Sequence, residues 1–307
     1  MNRYVADPHW GGWIIAYFYL GGIAAGAYAT AGMARIFGQE SDRRGVRAAD
    51  YLAFPLVSLC GIMLIIDLNR PERFWHMLIA SNTFLPILKW WSPMSVGSWG
   101  LSLFSAFSAL SFVAVLIEDG WLNQPILKGI LWTREGLLGK LFAAGGAGSA
   151  FFLGSYTGTL LAATNQPGWV ETPWLGSLFL ASSASTGLAT IALVNRWLIR
   201  DVPKDARRHI ERADRWAIQV EVAVLAIYAW SLGAENAQIL YAHMPGLLIP
   251  AFVIPFGLLL PLALMSQHRR RGMAELAAIL VLVGGFLLRY AIVSLPGPLL
   301  YANQVRH

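Results

Sequence analysis

Cysteine is nearly absent. Among 307 residues Cys60 is the only one. A single thiol cannot hold an iron–sulfur cluster, and no Cys-x-x-Cys-His run is present to attach a haem covalently. Charge is scarce too, at 13% of residues, where soluble domains carry about a quarter. Histidine is sparse and poorly placed. His9, His76, His209, His243, His268 and His307 all fall at the chain ends or between apolar runs. A haem inside a membrane bundle takes axial histidines from helices, so a dihaem anchor is disfavoured. The net charge of +6 sits in a few short connections. That distribution reports membrane topology and says nothing about nucleic acid.

What the sequence has in excess is apolar surface, with 56% hydrophobic residues and 13 Trp. Eight runs read as membrane spans, roughly 12–36, 50–67, 94–117, 137–162, 174–199, 215–237, 245–266 and 274–295. Each reaches or approaches the length of about 20 residues that a helix needs to cross the hydrocarbon. The expected fold is therefore all-α, a polytopic membrane helix bundle over residues 1–307 as one integral domain. Met1 to Trp10 holds a single Arg, so the first run reads as a retained span and not as a cleaved signal. Bases crowd the connections after spans one, three, five and seven, among them Arg44, Arg47, Lys128, Arg134, Arg207 and Arg270. The positive-inside rule puts that side in the cytoplasm and both termini in the periplasm.

The connection 67–99 differs from everything around it. It opens as Asp67-Leu68-Asn69-Arg70-Pro71-Glu72-Arg73-Phe74-Trp75-His76 and closes as Trp90-Trp91-Ser92-Pro93-Met94-Ser95-Val96-Gly97-Ser98-Trp99. Trp and Arg gather at headgroup level in many membrane proteins, so the aromatic content alone does not make a site. Pro71 disfavours helix at Arg70, and Phe74 to Ile79 reads as a short helix along the surface. Small residues cluster at Gly21 to Ala27, at Ala143 to Ala150 and at Gly284-Gly285. Such clusters let helix backbones approach closely in lipid.

These motifs together resemble the NrfD and polysulfide-reductase family of quinone-interacting membrane subunits. The resemblance rests on Tyr17-Phe18-Tyr19-Leu20-Gly21-Gly22-Ile23-Ala24-Ala25-Gly26, on Asp67 to Trp75 and on Ser92 to Trp99. It continues through Tyr156-Thr157-Gly158-Thr159-Leu160-Leu161-Ala162 and Gly284-Gly285-Phe286-Leu287-Leu288-Arg289-Tyr290. The motifs occur in family order and cover nearly the whole sequence. The resemblance implies a bundle in the bacterial inner membrane without haem or cluster of its own. It implies an iron–sulfur partner with four clusters, and often a molybdopterin catalytic subunit. Electrons would pass between that partner and menaquinone or ubiquinone near the outer face. Family members serve polysulfide, nitrite, tetrathionate, sulfite or formate chemistry, and the membrane subunit alone does not name which.

A quinone needs hydrogen-bond donors at its carbonyls, a proton carrier and an apolar groove. Buried ionisable groups in lipid are costly and are functional candidates for that reason. The resemblance implies a quinone-contacting Tyr at Tyr156, which would donate to a quinone carbonyl, and a polar contact at Tyr17. Asp67 would relay a proton, or else pin the loop by a salt bridge to Arg70 or Arg73. Arg70 would hold Asp67 or meet the partner, and His76 would be a second proton carrier. Glu235 ends span six at the same rim. Arg289 keeps its charge, so in lipid it must pair with an acid or with carbonyls; Asp67 and Glu235 are the outer-side acids, and an ion pair with one of them is expected. On the inner side Glu221 would form a polar file with Ser182, Ser183, Ser185 and Thr186, or these groups would simply bond helix to helix. The outer connections 4–5, with Trp169 and Glu171, and 6–7 would join 67–99 in docking the partner. The rival functions are a secondary transporter, which would show paired broken helices, and a purely structural anchor.

Overall fold

The computed structural model describes residues 10–68, 70–166, 168–199, 202–233, 244–266 and 271–295. Among them the elements are α1 (Gly12–Phe37), α2 (Glu40–Gly45), α3 (Arg47–Asp67), a 3-10 helix (Pro71–Met77) and α4 (Pro93–Glu118). There follow a 3-10 helix (Pro125–Arg134), α5 (Gly136–Ala163), α6 (Leu175–Trp197) and α7 (Lys204–Ser231). The last are a π-wound segment (Ile249–Leu259) running into α8 (Leu260–Ser266), and α9 (Arg271–Val293). The protein is a polytopic helical membrane bundle. Seven stretches of described helix are long and apolar enough to cross a membrane.

The expected spans match these helices to within a few residues, except at the sixth. There α7 starts at Lys204 and carries a charged first half, including Asp205, Arg207, Arg208, Glu211 and Arg212. Its buried residues Ala206, Ile210, Asp214, Ile218, Glu221, Leu225 and Tyr228 form one stripe at helical spacing. The stripe holds α7 along the bundle from end to end. Near its start His209 meets Asp42 of α2 at 2.6 Å, and near its end Tyr228 donates to the Gly168 carbonyl at 3.2 Å. The stretch is thus a lengthwise helix whose Asp214, Arg215 and Glu221 dilute its apolar character.

Local chemistry explains the element ends. Ser92 caps α4 by accepting from the Ser95 N–H, and Pro93 fills the first helical position, where no N–H is needed. α3 stops at Asp67 and the non-helical Arg70 precedes Pro71, as the proline requires. The π winding coincides with Pro255, which withdraws a backbone donor from the ladder, while Pro250 sits in the first turn.

α1 is the hub, packed against α3, α5 and α6. Lipid tails are as apolar as leucine, so close backbone contact has to hold these helices together. Gly26 shows how close: a Cβ built there would fall 1.7 Å from the Ser183 carbonyl oxygen of α6. The small-residue run of α1 is therefore the seam between the two most enclosed helices.

Candidate functional site

Tyr17, near the start of α1, is buried and lies within electrostatic reach of Cys60 on α3 and Tyr156 on α5. The Cys60 thiol points to the Tyr17 carbonyl at 3.7 Å. The Tyr156 hydroxyl donates to the Pro93 carbonyl at the start of α4, at 2.6 Å. Its ring stacks on Phe152 with centroids 5.5 Å apart. Gly97 makes room for it, since a Cβ there would sit 2.1 Å from the Tyr156 hydroxyl oxygen. Four helices thus bring two tyrosines together at one end of the bundle. Phe152 also lines an apolar groove of about 650 Å³ with Pro86, Leu88, Val96, Trp99 and Leu103. The connection 67–99 forms its upper wall, held by Trp99 Nε1 donating to the Ile87 carbonyl at 3.0 Å.

The other rim residues stand apart from this pair. Asp67 and Arg70 are exposed, and among the described residues neither has an ion-pair partner, so the loop is not pinned as the salt bridge would have it. His76 is half-buried, with its ring 3.9 Å from that of Trp75. It lines a polar hollow with Arg73 and Lys89. The 3-10 helix Pro71–Met77 takes the place of the expected surface helix. Glu235 lies outside the described residues. Trp169 is buried against Trp10 and donates to the Ile292 carbonyl at 2.6 Å, so it does not belong to an exposed docking surface. Glu171 beside it accepts from the Gly168 N–H.

Arg289 overturns an expectation. It is fully buried, and no acid among the described residues lies in ion-pair contact with it. It donates to the carbonyls of Phe18 and Gly285 at 3.1 and 3.0 Å and to the hydroxyls of Ser182 and Ser183 at 3.0 and 3.1 Å. Carbonyls and hydroxyls accept four bonds from the guanidinium's five N–H donors, without the desolvation of a second ion that an ion pair would add. Gly22 leaves the space: a Cβ there would sit 2.4 Å from Arg289 Nη2. The acid that Arg289 does feel is Glu221, one serine layer away. Ser185 donates to Glu221 at 2.5 Å, and Ser182, which accepts from Arg289, lies close to the same carboxylate. Arg289, the α6 serines and Glu221 form one buried file joining α9, α6 and α7. Asp214 continues it two turns further along α7, buried and with Oδ1 unpartnered among the described residues. Sequence reasoning did not single out Asp214; its place in the buried stripe of α7 was the available signal.

The polysulphide reductase, NrfD family model matches residues 3–297. The protein belongs to the NrfD family. Its curated relatives include a polysulfide reductase chain of Wolinella succinogenes, 29% identical over 96% of this protein and 94% of that one. Protein NrfD of Escherichia coli is 28% identical over 59% of this protein and 58% of that one. A selenate reductase subunit of Mesobacillus selenatarsenatis is 28% identical over 39% of this protein, a match spanning a quarter of that subunit's length. As an NrfD-family member the protein is a multi-pass integral membrane protein. The motifs at Tyr17, Asp67, Gly97, Tyr156 and Arg289 all lie inside the matched range.

Proposed function

We propose that this NrfD-family protein is the quinone-reactive membrane subunit of a respiratory oxidoreductase complex in the bacterial inner membrane. It exchanges electrons between menaquinone or ubiquinone and a periplasmic iron–sulfur subunit, to which a molybdopterin catalytic subunit is attached. The names of the polysulfide and selenate reductase relatives support the complex. The observation that carries the quinone reading is the apolar groove of about 650 Å³ lined by Phe152, whose ring stacks on Tyr156. Its walls suit an isoprenoid tail, and the phenol of Tyr156 stands one ring beyond them for the head.

The residues fit the chemistry. The quinone takes two electrons and two protons on reduction and returns them on oxidation. The Tyr156 hydroxyl donates to Pro93 as it stands, which leaves its oxygen lone pairs to accept from a hydroquinone. Rotation of the hydroxyl away from Pro93 turns it into a donor to a quinone carbonyl. Tyr17 supports the phenol from the α1 side. Asp67, exposed at the end of α3, exchanges protons with the periplasm. Arg70 and His76, on the same connection, serve docking and proton exchange. Glu235 is assigned to the same rim by its place in the sequence. Arg289 fixes α9 to α1 and α6 behind the site and adds positive potential.

Purification from native membranes in mild detergent tests this reading. An iron–sulfur subunit and extractable quinone should accompany the protein. A protein that purifies alone and quinone-free would favour the transporter.

A further inference from the structure

A second built cavity lies at the opposite, basic end of the bundle, far from the tyrosine pair. It encloses about 580 Å³ between α1, α2, α3, α4 and α5. Arg35, Arg43, Arg44, Arg47, Arg134 and Lys140 line it, against the acids Glu40, Asp50 and Glu118. The acids are already committed. Arg35 and Arg134 both bind Asp50, the latter at 3.0 Å. Arg47 binds Glu118 at 3.2 Å and Asp119 at 2.5 Å, and Arg43 reaches Glu40 at 3.8 Å. Arg44 and Lys140 have no ion-pair partner among the described residues, and both are exposed at the mouth. α5 begins at the same wall, where Gly136 and Leu137 line the cavity, and no side chain caps its first N–H groups.

The cavity asks for a hydrogen-bond donor as well as an anion. Asp50 is 1% exposed and lines the cavity, yet its Oδ1 has no hydrogen-bond partner among the described residues. A bare anion would leave that oxygen unpaired. The flank is lipid-facing, with Leu137, Leu138 and Leu141 exposed on the first turns of α5. Trp121 and Trp132 are exposed on the neighbouring connections, and indoles are enriched at the headgroup layer.

The geometry points to a binding site for the headgroup of an anionic phospholipid of the phosphatidylglycerol type. Its phosphodiester meets Arg44, Lys140 and the α5 N-terminus. Its glycerol hydroxyls supply the donor that Asp50 Oδ1 lacks, and an acyl tail follows the leucines. Basic hollows between helices on the cytoplasmic side are the general setting for such recognition.

The test is lipid counting by native mass spectrometry on the full-length protein in mild detergent. The protein is offered dioleoylphosphatidylglycerol or dioleoylphosphatidylcholine, with and without millimolar inorganic phosphate. Phosphatidylglycerol should be retained over phosphatidylcholine and should resist phosphate. The paired substitution Arg44→Gln with Lys140→Gln should reduce its retention by about tenfold. Both side chains are exposed and outside every described ion pair, and an unchanged elution volume on size exclusion confirms that the variant folds. Displacement of phosphatidylglycerol by phosphate would overturn the lipid assignment in favour of a free anion. Equal retention of the two lipids would overturn the site.

Discussion

Arg289 carries its charge into a helix interior, and its hydrogen bonds go to Phe18, Gly285, Ser182 and Ser183. A lysine keeps the charge but cannot span acceptors on three helices. Arg289→Lys should therefore cost about 3 kcal/mol, two or so charge-assisted bonds, read as a loss of thermal stability in detergent. Glu221 and Arg289 should also couple. A double-mutant cycle of Glu221→Gln and Arg289→Gln should give an interaction of roughly 1–2 kcal/mol across the serine layer between them. Strict additivity would mean that the file does not transmit charge. Sequence alone showed that a cation in a span needs partners, and it offered the acids Asp67 and Glu235. The sequence put Ser182 and Ser183 in a file with Glu221 but not beside Arg289, and backbone carbonyls are silent in a sequence because every helix has them. The same limit hid Asp50, whose partners Arg35 and Arg134 come from separate elements. Tyr156 was readable because a family motif marked it, but its bond to Pro93 depends on how α4 and α5 meet.

At the scale of elements, the spans were legible because runs of apolar residues admit only one outcome in lipid. α7 was legible in its second half alone, since the charged half gives no apolar run and only the stripe from Ala206 to Tyr228 reveals the whole helix. α2 and the 3-10 helix Pro125–Arg134 were not foreseen; α2 is short and charged, and the apolar residues of Pro125–Arg134 are too few and too broken by Lys128 and Gly129 to read as a span. The contact of α1 with α6 is where helix packing is most exposed to substitution. Gly26→Val puts branched carbons into the Ser183 backbone, and overpacking of this kind costs typically about 1–3 kcal/mol or more. The expected result is loss of folded protein from the membrane fraction, whereas Gly61→Val on α3, where a Cβ meets nothing within 4 Å, should be tolerated. Equal yields for the two variants would show that the α1–α6 seam is looser than its geometry.

Taken whole, the molecule has two chemically different ends. One presents the connection 67–99 with the tyrosine pair and groove beneath it, and the other gathers the arginine network. Arg73, His76 and Lys89 line a hollow of about 720 Å³ on the first end, which under the proposed function would receive the iron–sulfur partner. Arg73→Glu together with Lys89→Glu should therefore release the iron–sulfur subunit from washed membranes at lower salt than in the wild type, because rim charges act on association and its salt dependence. Unchanged retention would move docking elsewhere on that face. The central claim is electron exchange with a quinone at Tyr156. It is tested most directly by following the partner's iron–sulfur clusters by electron paramagnetic resonance in the purified complex as the quinol-to-quinone ratio is varied. The account predicts that cluster reduction follows this ratio and that Tyr156→Phe slows the response by about tenfold, near the upper end of one hydrogen bond. Clusters that dithionite reduces but that ignore the quinone pool would contradict it.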